Sequence, residues 1–251
     1  MSAMGQHIEI DTTGGTINAY RADPEGAPLG GIVLIHELWG LVEHIADVAD
    51  RFAAEGYLVV APDLLSNIGI TPEVGAELAA LRSHPDPKVR ADAQPAFREK
   101  LSAAHSPDYA QWAISVLQQV TDYVSAQFDE EGDLATVGFC FGGTYAWALG
   151  AADARIRLAV PFYGIPPEHS SFADIQGSVL AFFGETDERV TSTLPATSAA
   201  LAETDVDFTS VVYPGVGHAF FNDTNPATYD ADAANDAWAQ TLIALGRAIP
   251  S

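Results

Sequence analysis

The spacing of apolar residues changes period repeatedly along this chain, and each change predicts an element. His7 to Ala22 mixes β-branched residues around Gly14-Gly15, which predicts an antiparallel hairpin. Gly31 to His36 is a continuous apolar run, the pattern of a strand buried on both faces. Ile45 to Ala54 follows with helical spacing that stops at Gly56. Tyr57 to Ala61 is the next expected strand. Periodicity then weakens from Asp63 to His105, where Pro72, Pro85, Pro87 and Pro95 punctuate two short helical patches, Glu73 to Leu81 and Lys88 to Leu101. We read residues 63–106 as an excursion over the site. Ser106-Pro107-Asp108 then opens a helix with a capping serine and a first-turn proline, continued by Ala113, Val116, Leu117, Val120 and Val124.

The second half alternates strand and helix. Leu134 to Phe139 leads into a helix over Gly142 to Ala151, and Arg157 to Tyr163 is the next strand. Ser178 to Phe183 leads into a helix over Leu194 to Glu203, and Asp207 to Tyr213 is the last strand. Ala227 to Ala248 closes as a helix with Ala233, Ala237, Ile243 and Leu245 among its small and apolar positions. This βαβ rhythm predicts one α/β domain over residues 1–251, with a mostly parallel sheet, helices on both faces and the hairpin at its start.

Composition adds limits. Hydrophobic residues make up 48% and charged residues 18%, a balance that suits a folded core rather than disorder. Acidic residues outnumber basic ones 34 to 11, for a net charge of −23, so nucleic acid and anionic membrane surfaces are poor partners. Met1 to Tyr20 lacks a basic start followed by an apolar core, and no run of eighteen apolar residues occurs, so a cytoplasmic protein is expected. A monomer is expected, with pairing through an edge hairpin as the alternative. The single cysteine has no disulfide or C-x-x-C partner within the chain, and the histidines show no H-E-x-x-H spacing. Neither a metal nor an organic cofactor is expected.

That cysteine stands in Gly138-Phe139-Cys140-Phe141-Gly142-Gly143, where a strand hands over to a helix. A nucleophile on such a turn needs small neighbours, and the helix N-terminus favours a thiolate while the Phe141 N–H faces an oxyanion. Downstream, one strand runs into Gly184-Glu185-Thr186-Asp187 and the last into Gly215-Val216-Gly217-His218. Histidine can take the thiol proton and return it to a leaving group, while a carboxylate orients the ring. Asp187 is preferred for the acid, with Glu185 and Glu188 as competitors. All three positions fall at carboxyl ends of strands, in the order nucleophile, acid, histidine.

Together with His36-Glu37-Leu38-Trp39-Gly40 and Gly217-His218-Ala219-Phe220, these motifs resemble the dienelactone hydrolase family over nearly the whole chain. The resemblance implies an α/β-hydrolase fold and cleavage of a small ester or lactone through an acyl-enzyme. It implies that Glu37 contacts the resting thiol and helps deprotonate it, and that the Leu38 N–H is a second oxyanion donor. A carboxylate against an apolar wall is compatible with holding or accepting a proton. His36 is expected to pack at the strand end. Trp39, Phe220 and Arg90 are the expected substrate contacts, with Arg98 as the alternative arginine. Family members that cleave dienelactones hold the substrate carboxylate with two arginines, one of them just past the catalytic histidine. Asn222 and Asp223 stand there in this chain. A single cation therefore predicts that neutral esters or lactones are better substrates than carboxylated ones. Two other readings compete: a non-catalytic scaffold that binds a ligand in the same cleft, and a thiol redox sensor, which lacks a resolving cysteine.

Overall fold

The structure, a computed structural model, describes residues 5–128 and 133–249. Among them, eight strands form one sheet: β1 (Gln6–Thr12), β2 (Gly15–Ala22), β3 (Gly31–Ile35), β4 (Leu58–Pro62), β5 (Leu134–Phe139), β6 (Ile156–Phe162), β7 (Ser178–Gly184) and β8 (Phe208–Tyr213). Their spatial order is β1-β2-β4-β3-β5-β6-β7-β8. β2 pairs antiparallel with both β1 and β4, and every pair from β4 to β8 is parallel. Thr12 opposes Gly15 in the hairpin, so the turn is Thr13-Gly14, one residue before the expected Gly14-Gly15.

The continuous apolar runs are buried on both faces because helices cover both. Ile32 and Leu34 of β3 face α1 (Glu43–Ala54) and α8 (Ala231–Ala248), in a core with Phe52, Ala237 and Leu245. Val33 and Ile35 point the other way, toward α4 (Pro107–Ser125) and α5 (Phe141–Ala152), with Val116, Val120 and Leu149. This alternation is the two-residue period of a strand. Farther along the sheet, Trp147 packs with Phe183 and with Val190 and Leu201 from α6 (Glu188–Thr191) and α7 (Leu194–Leu201).

One expectation here needs correction. The last helix begins at Ala231 rather than Ala227, with Asp230 accepting from the Ala233 N–H at 3.0 Å. Before it, the chain makes turns, Asn225 N–H to Asn222 O and Thr228 N–H to Asn225 O, because Pro226 and the asparagines favour turn over helix. Of the small and apolar positions named on this helix, Ile243 is 56% exposed, while Ala233, Ala237 and Leu245 are buried.

The excursion after β4 contains α2 (Pro72–Arg82) and α3 (Pro87–Leu101), started by Thr71 and Asp86 caps. Only Gly75 and Leu78 of α2 and Phe97 of α3 are buried, which accounts for the faint helical periodicity of this stretch. Among the described residues, no helix is long and apolar enough to cross a membrane.

Candidate active site

The site lies outside the carboxyl ends of the parallel strands, beside the point where chain order reverses between β3 and β5. Cys140 immediately follows β5 and caps α5 with φ 56° and ψ −109°, a conformation that costs a non-glycine residue about 1–3 kcal/mol. Neighbouring contacts hold it there: its N–H donates to Phe162 O at 2.9 Å, and its carbonyl accepts from Thr144 N–H at 3.2 Å. The glycines of the motif are needed for close approach. A β-carbon on Gly138 would strike Gly142 O, one on Gly142 would strike Ile35 O, and one on Gly143 would strike Phe162 O. The Phe141 N–H belongs to the first turn of α5, whose donors have no acceptor within the helix.

Three non-glycine residues among those described have positive φ: Cys140, Tyr163 after β6, and Ala219 after His218. All three sit at this end of the sheet. Local strain concentrated in this way is a mark of functional sites.

His218 follows β8, and its Nδ1 donates to Asp187 Oδ2 at 2.5 Å. That leaves Nε2 for Cys140, whose sulfur is near enough to bear on the charge of the ring. Burial alone would lower the His218 pKa, but the bond to Asp187 and the charges of Asp187 and Cys140 outweigh it and raise the ring to about 10. The competing acids are engaged elsewhere. Glu185 Oε2 accepts from the Gly215 N–H at 2.8 Å, and Glu188 is exposed in the first turn of α6.

Glu37 is 3% exposed, and both its carboxylate oxygens accept hydrogen bonds from residues at other strand ends. Its Oε1 accepts from the Tyr163 hydroxyl at 3.3 Å and its Oε2 from the Asn222 amide at 2.6 Å. The carboxylate is thus held by neutral donors. Burial, then the Glu37 and Cys140 charges, push the Tyr163 hydroxyl well above its usual range, so it stays protonated and donates. Its ring lies edge-on to His218, with centroids 4.9 Å apart. Sequence reasoning missed Tyr163; the available signal was its place at the end of β6, among the strand ends that carry the site.

His36 packs as expected at the end of β3, stacked on Phe141. Burial lowers its pKa, and the neutral ring has a use for both nitrogens: Nδ1 donates to Glu37 O at 2.6 Å, and Nε2 accepts from the Leu64 N–H at 3.0 Å. Glu37 O also accepts from Gly40 N–H at 3.1 Å, closing a turn with half-buried Leu38 and Trp39 at its centre.

A cavity of about 790 Å³ opens over Glu37, Trp39 and His218, walled on one side by α2 and the start of α3. Its wall does not include Cys140, a half-buried residue that meets the site through His218. Trp39 lines it, edge-on to Phe97. Phe220 does not line it as expected: it is fully buried against Phe162, Tyr163 and Tyr213, because the strained Ala219 turn directs the following residues into the core. Arg90 lines the cavity, whereas Arg98 is exposed and outside its wall. Arg82, at the last turn of α2, lines it as well, so the expectation of one cation is corrected to two. Among the described residues, no group of three or more His, Cys, Asp or Glu is placed to hold a metal ion.

A strained elbow at the end of a central parallel strand, facing a histidine and carboxylate from later strand ends, defines the α/β-hydrolase class. Comparison with known proteins narrows the class. Residues 17–249 match the model of the dienelactone hydrolase family, and the chain belongs to that family as a hydrolase. It is 29% identical to a Saccharolobus solfataricus protein named "Putative carboxymethylenebutenolidase", across 97% of this chain and 99% of the relative. The solved structure of a "Putative Dienelactone Hydrolase" from Klebsiella pneumoniae is 27% identical, with a TM-score of 0.79 over 97% of this chain and 98% of that one. A dienelactone hydrolase-like promiscuous phosphotriesterase from metagenomic libraries shares the fold at 23% identity, with a TM-score of 0.69 over 98% of this chain and 99% of that one.

Proposed function

We propose that this hydrolase cleaves small esters or lactones with Cys140 as nucleophile, His218 as acid and base, and Asp187 as the group that orients His218. The observation that carries this reading is the His218–Asp187 hydrogen bond beside the strained Cys140 elbow, with the sulfur near enough to raise the His218 pKa. The raised His218 pKa favours imidazolium beside the sulfur, a form that stabilises thiolate.

In acylation, the sulfur attacks the ester carbonyl carbon and the N–H groups of Leu38 and Phe141 face the oxyanion. His218 then protonates the departing alkoxide as the C–O bond breaks. In deacylation, His218 takes a proton from water, the hydroxide adds to the thioester, and collapse releases the carboxylate while restoring the sulfur. In a lactone the alcohol remains tethered to the acyl chain, so one product carries both ends.

Arg82 and Arg90 both line the cavity, which supports an anionic group on the substrate away from the scissile bond. Arg90 is partly engaged, its Nη1 donating to His84 O at 2.5 Å and Pro85 O at 2.9 Å, so Arg82 is the better placed of the two to receive a carboxylate.

The test is turnover of short aryl esters and lactones by wild type, by alkylated protein and by Cys140→Ala. Hydrolysis that disappears in both treated forms supports the reading. Wild-type turnover in Cys140→Ala would overturn it, and no turnover by the wild type on any ester or lactone would favour a ligand-binding scaffold.

A further inference from the structure

Glu37 and Leu38 share one peptide, and no peptide among the described residues is cis, so the Glu37 carbonyl and the Leu38 N–H point to opposite sides of the bond. Whatever fixes the carbonyl therefore aims the N–H. Two donors fix it, His36 Nδ1 at 2.6 Å and the Gly40 N–H at 3.1 Å. The tautomer follows from the other side of the ring, where Nε2 accepts from the Leu64 N–H at 3.0 Å and so carries no proton. Nδ1 then holds the proton of the neutral imidazole and donates it. The Leu38 N–H itself has no acceptor among the described residues, which leaves it to a ligand. The same ring lies flat on Phe141, with planes 6° apart and centroids 5.8 Å apart. His36 thus touches the segments that carry both oxyanion donors, one through a hydrogen bond and one through stacking.

We propose that His36 is a positioning residue for hydrolysis: its Nδ1–H locks the Glu37–Leu38 peptide so that the Leu38 N–H faces the oxyanion. The inference rests on the proposed function, in which the Leu38 N–H is an oxyanion donor. His36 touches no substrate, for it is fully buried and outside the cavity wall. A hydrogen bond on the carbonyl also polarises the amide and strengthens the N–H at its far end. The oxyanion forms only after attack on the substrate carbonyl, so the effect falls on the transition state and leaves ground-state binding alone.

The experiment compares His36→Asn with His36→Leu, two side chains of the same branched shape. Both leave the Leu64 N–H without its acceptor and both take the ring off Phe141, but the asparagine amide keeps a donor near the place of Nδ1. With a short aryl ester as substrate, His36→Leu is expected to lower kcat about 10- to 100-fold while KM stays within about threefold of wild type. His36→Asn is expected to keep kcat within about fivefold, because the peptide is still held.

A merely structural His36 would make the two variants lose kcat alike, in step with their melting temperatures. That result, or wild-type kcat in His36→Leu, overturns the proposal. A second readout needs neither substrate nor variant. In NMR spectra of protein labelled with ¹⁵N-histidine, the His36 ring is expected at about pH 7 to carry its proton on Nδ1 and none on Nε2. A proton on Nε2 overturns the proposal even if both variants fail to fold. Wild type that hydrolyses no ester or lactone would count against the proposed function, and the tautomer would then decide this inference by itself.

Discussion

Gly75 of α2 lies directly against the backbone of Trp39: a β-carbon at Gly75 would overlap the Trp39 carbonyl oxygen. The helix that walls the cavity therefore rests on the same turn that presents the Leu38 N–H. Gly75→Ala would normally strengthen a helix by about 0.5–1 kcal/mol, but here the overlap forces α2 or the turn to move. We expect kcat/KM to fall about 10- to 100-fold, the size of effect a displacement near 1 Å produces, with little loss of thermal stability because α2 is lightly buried. Steady-state kinetics beside a melting curve checks this, and unchanged kcat/KM would show that the turn tolerates the shift.

Removal of the proton carrier is expected to cost more than removal of its support. His218→Ala and Asp187→Asn should each lower kcat by about two to four orders of magnitude, with His218→Ala the worse. The geometry gives Glu185 a separate task at Gly215, so Glu185→Gln should leave kcat within about threefold of wild type. A collapse in Glu185→Gln with a near-normal Asp187→Asn would move the acid role to Glu185.

The raised pKa of His218 has a definite sign for stability. Its folded value of about 10 lies above the ordinary value of 6.5, so the folded state holds the proton more tightly than the unfolded chain does. The resulting stabilisation is fully present below pH 6.5 and is lost as pH rises through about 10. Urea unfolding of wild type and His218→Gln should show a stability difference that narrows across this window. In Cys140→Ala, the charge of the sulfur is gone, and the His218 titration followed by NMR should move down by about one unit or more. A difference that widens with pH would contradict the direction assigned here.

With two arginines lining the cavity, the expected substrate preference is the opposite of the one read from sequence. A carboxylated lactone should show higher kcat/KM than its neutral methyl ester. Arg82→Ala should remove about tenfold of the carboxylate's rate, the worth of one charge-assisted hydrogen bond, and leave the methyl ester within about twofold. The net charge of −23 opposes anion approach, so moderate salt should raise the carboxylate rate. Equal rates for acid and ester, unaffected by Arg82→Ala, would leave the cavity without a charge preference.

The sequence by itself determined those features whose causes are local. Buried parallel strands read as unbroken apolar runs because both faces are covered, and β5 was legible to the residue at both ends. The elbow at Cys140 was readable because its steric demand for glycine falls on immediate neighbours. The loops that hold Asp187 and His218 were readable because each lies a few residues past the end of an apolar strand. Only the tertiary structure decided what those residues touch. Glu37 has its partners just after β6 and after β8, and neither lies within reach of any local pattern. Phe220 and Trp39 are both aromatic residues beside the site motifs, yet a positive φ at Ala219 sends one into the core while the Glu37–Gly40 turn leaves the other on the cavity. Arg82 and Arg98 both lie on helices with little buried surface, where periodicity carries no information about direction, and only the packing of Gly75 on Trp39 turns the end of α2 toward the site.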